Sequence, residues 1–275
     1  MRHVLKTSIR YIITLIVTIF VLYPVGWMIT FSLRSKESIF TIPPRFIPEE
    51  FVFENYINVW KQGVIPRFFI NSLIVSIITT IIVVAISSIG AYSLSRFEFK
   101  GKRLFSLSVL SSQLFPAAVL LVPLLLFFNA INLYDNQLAL IISYSGLCLP
   151  FSFFLLVGIY NTIPRDIEEA AYIDGASKIQ TFIRIVLPNA SIGLAIVALF
   201  TFVSSWQEVL LALSFILTEN KRTLPVGLMY FFGQHQTDYA GLMAASCIAS
   251  FPSIILFIFL QRYLVRGLIG GALKE

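Results

Sequence analysis

The sequence predicts an all-α integral membrane protein with six transmembrane helices, and three observations carry that prediction. Only 12% of its 275 residues are charged and 57% are hydrophobic, with a mean hydropathy of +0.87, whereas soluble domains carry roughly 25% charged residues. Six stretches are apolar over the roughly 20 helical residues that a bilayer core requires. The loops between them alternate in basic content. The same composition excludes intrinsic disorder, which needs low hydrophobicity and high charge, and argues against a water-soluble enzyme.

The spans follow from the apolar runs in order. They cover about residues 9–32, 68–95, 104–128, 137–160, 190–217 and 242–264, within a single transmembrane domain of residues 1–275. Prolines at 24, 116, 123, 150 and 252 fall inside these runs. They are compatible with spanning helices, because neighbouring helices and local adjustments satisfy the freed backbone groups. The first run follows Arg2, Lys6 and Arg10, but it is too long for a signal-peptide core and no small-residue cleavage site follows it. It reads as a retained span.

Basic residues collect on the cytoplasmic side of membrane proteins. Thirteen of the twenty Lys and Arg residues fall in the N-terminal segment, the loops after spans two and four, and the C-terminal tail; seven fall in the loops after spans one and five. Both termini are therefore expected in the cytoplasm, which agrees with an even number of spans. The basic cluster Arg96, Lys100, Lys102 and Arg103 is read as topogenic and lipid-facing, with no nucleic-acid partner. Two cysteines in apolar runs and two histidines, His3 and His235, supply neither a disulfide framework nor a metal cluster. No G-x-x-x-x-G-K-[ST] loop is present, so the chain lacks a phosphate loop of its own.

The cytoplasmic loop 161–189 carries the strongest motif. Pro164 suits the first turn of a helix, and Asp166, Glu168 and Glu169 complement its positive N-terminal end. Gly175 is a natural helix terminator. Ser177 with Gln180 fits a capping box that opens a second helix, which Pro188 closes before span five. Ala170, Ala171 and Ala176 permit close approach of another surface. Within the spans, Glu208 is the one deeply placed acidic residue and neighbours Trp206 and Gln207; Gln113 is a second polar residue in an apolar run. Such residues usually face a cavity or a partner helix, and both a pathway-lining role and an interhelical hydrogen bond fit.

Taken as a string, Glu169-Ala170-Ala171, three residues, Gly175-Ala176, and later Ile185-x-Leu187-Pro188 resembles the EAA loop of ABC importer permeases. Its position after the fourth of six spans matches too. Residues 158–164 resemble the lead-in of carbohydrate-uptake permeases. Residues 262–275 resemble the ending of the second permease subunit of the maltose-permease-G type. Residues 205–213 resemble that family's fifth span, with Gln207 where Asn is commoner. The resemblance implies a type I ABC importer permease fold and no enzymatic role for this chain. It implies a sugar or oligosaccharide as solute, with glycerol phosphate or a polyol as the nearest alternative and a stand-alone carrier or an integral-membrane enzyme further off. It also implies partners: a second permease in a heterodimer, two ABC ATPase subunits that hydrolyse ATP while this chain binds no cofactor, an extracytoplasmic solute-binding protein, and membrane lipid. Glu168, Glu169, Ala170, Ala171, Asp174, Gly175 and Ala176 would form the ATPase-docking coupling helix. Gln113, Trp206, Gln207 and Glu208 would be candidates for the translocation path. The outer segment 218–241, with Lys221, Arg222, His235 and Asp238, would face the solute-binding protein on this resemblance, the alternative being a plain connector.

Overall fold

A computed structural model describes the chain except Met1 and residues 43–45, 62–63, 233–236 and 273–275, with side chains undescribed also at 2–6 and 264–272. Among the described residues it is helical, its one β feature being an isolated bridge between Phe232 and Thr237.

In chain order the helices are α1 (Arg2–Ser32), α2 (Glu54–Lys61), α3 (Val64–Arg96), α4 (Lys102–Ser112), α5 (Ala117–Ala130), α6 (Gln137–Thr162), α7 (Arg165–Ile173), α8 (Lys178–Thr181), α9 (Leu187–Asn189), α10 (Ser191–Trp206), α11 (Leu210–Phe215), α12 (Leu224–Leu228) and α13 (Tyr239–Ala272). A π-helical turn, Phe182–Val186, joins α8 to α9. Among the described residues four helices are long and apolar enough to cross a membrane, within Thr7–Ser32, Val64–Arg96, Gln137–Thr162 and Tyr239–Tyr263, and two bent pairs bring the number to six when each pair counts as one span.

Two of the six expected spans are broken rather than single helices. The third run breaks at 113–116 into α4 and α5, which meet at 99°. Pro116 is the N-cap of α5 in an extended conformation, because proline cannot donate the hydrogen bond that would continue α4 and its ring clashes with the preceding turn. Pro24, Pro123, Pro150 and Pro252 are absorbed within helices. The fifth run is not one helix over 190–217 either. The segment Lys178–Asn189 turns by 76° into α10, and the chain breaks again at 207–209 before α11. Pro188 does not close the second loop helix; it sits within α9, and the turn falls at Ala190.

The chain divides into two compact units, Met1–Arg67 with Gly227–Phe251, and Phe68–Val226 with Pro252–Glu275. In the first, none of the most apolar window of α1 is buried among the described residues. The loop after it is tied back by Asn55, whose side-chain amide donates to the carbonyls of Ser32 and Arg34 at 2.9 and 2.8 Å, and by a 2.6 Å hydrogen bond between the Ser32 and Tyr56 hydroxyls. The Arg34 guanidinium lies over the rings of Phe31 and Trp27, 5.1 and 5.7 Å from their centroids.

The second unit holds two cores, and α6 belongs to both. Toward one end of α6, Leu156 and Tyr160 pack with Val83 and Tyr92 of α3, Val186, and Val197 of α10. Toward the other, Leu140 and Tyr144 pack with Val75, Phe128 of α5, and Leu211 and Phe215 of α11. Gly193 lets α10 approach α6 closely: a Cβ there would lie 2.4 Å from Ile159 Cδ1 and 3.1 Å from Leu156 Cδ2.

Candidate functional site

The loop after α6 folds as its local signals direct. Ile163 and Pro164 are extended, Asp166 and Glu168 occupy the first turn of α7, and Gly175 turns the chain with φ +85°, a conformation that costs other L-residues strain. The capping box forms: the Gln180 N–H donates to Ser177 Oγ at 3.3 Å and the Ser177 N–H to Gln180 Oε1 at 2.9 Å. The result is a short helix, a glycine turn and a second helix.

The two faces of α7 differ. Glu168 and Ala171 are buried, with relative exposures of 4% and 8%. Glu169, Ala170, Asp174 and Gly175 are exposed and Ala176 is half-buried. Glu168 therefore departs from the flanking docking contact expected of it. Its carboxylate accepts from Arg96 Nε at 2.5 Å and from the Tyr92 hydroxyl at 2.8 Å, both on α3. Ala171 likewise faces inward. The sequence reading also missed a contributor. Ile173 is 87% exposed and Ile179 71%, so the outward surface carries apolar side chains among its small and acidic ones. An isoleucine in an amphipathic run reads as core-facing, but Ile173 lies two residues, about 200° of helix, past the inward-facing Ala171 and so points outward.

The four path candidates do not lie together on one surface. Trp206 is 5% exposed, stacked on Phe202 and edge-on to Phe69, each 5.5 Å away. Gln207 is exposed at the break after α10, and Gln113 is exposed at the end of α4. Glu208 is half-buried. It accepts the Tyr144 hydroxyl at 2.8 Å, the Leu211 N–H at 2.9 Å and the Ala212 N–H at 3.2 Å. It thus caps α11 across the break and ties it to α6.

At the other end of the second unit, Asp135 gathers the segment after α11. Its carboxylate accepts the N–H groups of Leu217 and Thr218 at 2.9 Å each, the Thr218 hydroxyl at 2.6 Å and Lys221 Nζ at 3.0 Å. Desolvation pushes its pKa up, but the donors from Thr218, Lys221 and Leu217 together outweigh it and hold the carboxyl well below the usual range. Asn71 donates to the carbonyls of Asn220 and Arg222 at 2.9 Å each. Of the segment 218–241, His235 lies outside the described residues, and Asp238 pairs with Lys36 at 3.1 Å.

These elements match a known architecture. A family model described as "Binding-protein-dependent transport system inner membrane component" matches residues 84–270. The chain belongs to that family. It is similar to the trehalose/maltose transport system permease protein MalG of Thermococcus litoralis, 35% identical over 275 residues that cover 99% of this chain and 98% of that one. It is similar also to the probable ABC transporter permease protein YurM of Bacillus subtilis, 38% identical over 256 residues that cover 92% of this chain and 83% of that one. A chain from the crystal structure of a bacterial ABC transporter involved in the import of the acidic polysaccharide alginate superposes with a TM-score of 0.81 at 22% identity, covering 94% of this chain and 96% of that one. The fold is that of a type I ABC importer permease, and this family member is a multi-pass permease subunit of the cell membrane, a transport component rather than an enzyme in its relatives.

Proposed function

We propose that this permease forms, with a second permease, the path for a sugar or oligosaccharide delivered by an extracytoplasmic binding protein. Two ABC ATPase subunits dock on its cytoplasmic loop and supply the energy by hydrolysing ATP, which this chain does not bind. The termini and the loop 161–189 lie in the cytoplasm. The observation that carries this reading is the outward face of α7 and the turn that follows it, where Glu169, Ala170, Ile173, Asp174 and Gly175 are all exposed. Two acidic groups stand beside small and apolar residues on this short surface, which suits an apolar groove rimmed by basic side chains. The relative named for trehalose and maltose, matched along nearly its whole length, supports the sugar. Among the path candidates, Gln207 and Gln113 keep exposed amides that can hydrogen-bond a hydroxylated solute.

The test is reconstitution. The permease pair with its ATPases, in proteoliposomes with the binding protein enclosed on the receptor side, is expected to accumulate radiolabelled trehalose or maltose only with ATP on the opposite side. Uptake by this chain alone without ATP would overturn the reading. Uptake of glycerol phosphate in place of sugars would overturn the solute class and leave the rest.

A further inference from the structure

We propose that Arg96 is the positioning residue that fastens the docking helix α7 to the membrane helices α3 and α6, so that a displacement of α7 is delivered to the spans rather than absorbed in the loop. The proposal rests on the reading of α7 as the ATPase-docking helix. The covalent link between α6 and α7 is only the extended pair Ile163–Pro164. Two extended residues form a hinge, and a force applied at Ile173 would swing α7 about them. Arg96 braces that hinge. From the last turn of α3, its Nε donates to Glu168 on α7 at 2.5 Å, and its second terminal nitrogen donates to the Ile163 carbonyl at 3.0 Å. One planar guanidinium thus grips α7 and the hinge at once, which a lysine's single ammonium cannot do with the same geometry.

The neighbours complete the brace. Ser95 donates to Asn161 Oδ1 on α6 at 2.6 Å, and Arg165 of α7 donates to the Ser95 carbonyl at 3.2 Å. The Tyr92 hydroxyl holds the other oxygen of Glu168 at 2.8 Å, and the Tyr92 ring lies 4.7 Å from Phe182 in the π turn beyond α8. The Arg96 and Glu168 side chains are only 7% and 5% exposed. A pair so buried gains little net stability over an apolar pair, which fits a role in fixing geometry.

The brace predicts that α3 and α7 keep their separation through the transport cycle. In the complete transporter, Cys148 and Cys247 are replaced by serine and spin labels are placed at Ser93→Cys on α3 and Asp166→Cys on α7. Distances are read without nucleotide and after trapping with ATP and vanadate. An unchanged distance with Arg96 present is expected; a change there overturns the proposal without recourse to any further variant. With Arg96→Met the same distance should shift by roughly 2 Å or more on trapping, and trehalose uptake per ATP hydrolysed should fall roughly tenfold. Glu168→Gln, which keeps the shape and the Tyr92 contact, should give a smaller loss in the same direction. Equal falls in uptake and hydrolysis, or an unmoved distance in Arg96→Met, would reduce the pair to a structural one and overturn the proposal. Failure of the docking reading shows separately: ATPase subunits would then co-purify undiminished with Ile173→Glu.

Discussion

The Tyr144 hydroxyl donates to Glu208 at 2.8 Å, and the same carboxylate receives the Leu211 and Ala212 N–H groups. A carboxylate inside an apolar run thereby becomes the cap of a helix that starts within the membrane. The break at 207–209 exposes backbone donors that lipid cannot satisfy, and Glu208 satisfies them. Glu208→Ala removes the cap and leaves Tyr144 unpaired, and should cost about 1–3 kcal/mol. Glu208→Gln retains an acceptor and should cost less. Thermal unfolding of the purified complex in detergent should rank the variants wild type, Gln, Ala in falling stability; equal stability would show that the cap contributes nothing.

Gly175 separates strain from crowding. A Cβ at this position meets no atom of the chain within 4 Å, yet φ is +85°. Substitution should therefore act through the backbone. Gly175→Asn, which tolerates this conformation, should retain ATPase co-purification. Gly175→Val should lose it, at a cost of roughly 1–2 kcal/mol in the turn. Equal loss in both would place the requirement in the bare surface that a partner meets.

Gly193 poses the opposite case. Its neighbours Ile159 and Leu156 are so close that crowding dominates. Gly193→Ala meets chiefly the terminal methyl of Ile159, which can rotate away. Gly193→Val should overpack the α6–α10 contact by roughly 1–3 kcal/mol, read as a lower unfolding temperature.

Asp135 makes one part of stability pH-dependent. Its carboxyl titrates lower in the folded chain than in the unfolded one, where the ordinary value is about 3.9. Its contribution is complete above that ordinary value and is lost as pH falls from there toward the folded pKa. Asp135→Asn should therefore lower the unfolding temperature at pH 7, and the gap to wild type should narrow as the pH is taken below about 4. A gap that stays constant with pH would assign the effect to shape rather than charge.

Much of this was legible in advance because the signals are local. Apolar runs set the helices, Gly175 the turn, and Ser177 with Gln180 the cap. The misjudged features depend on distant residues. Pro116 breaks its helix while Pro24, Pro123, Pro150 and Pro252 do not, a difference that the presence of proline in an apolar run does not carry by itself. Glu168 reads as solvent-facing in α7 until Arg96, far back in the chain, is brought beside it. Glu208 offered two readings; its geometry shows a hydrogen bond to Tyr144 of α6, and the break that gives it backbone N–H partners has no signature in the apolar run around it.

The bare flank of α1 bears on how the chain is made. Among the described residues none of its most apolar window is buried, so its length and apolar character are by themselves enough to carry it into the bilayer. Insertion and association are then separate events for this segment. The ribosome can deliver α1 to the membrane as a finished piece, long before Arg96 has a Glu168 to meet.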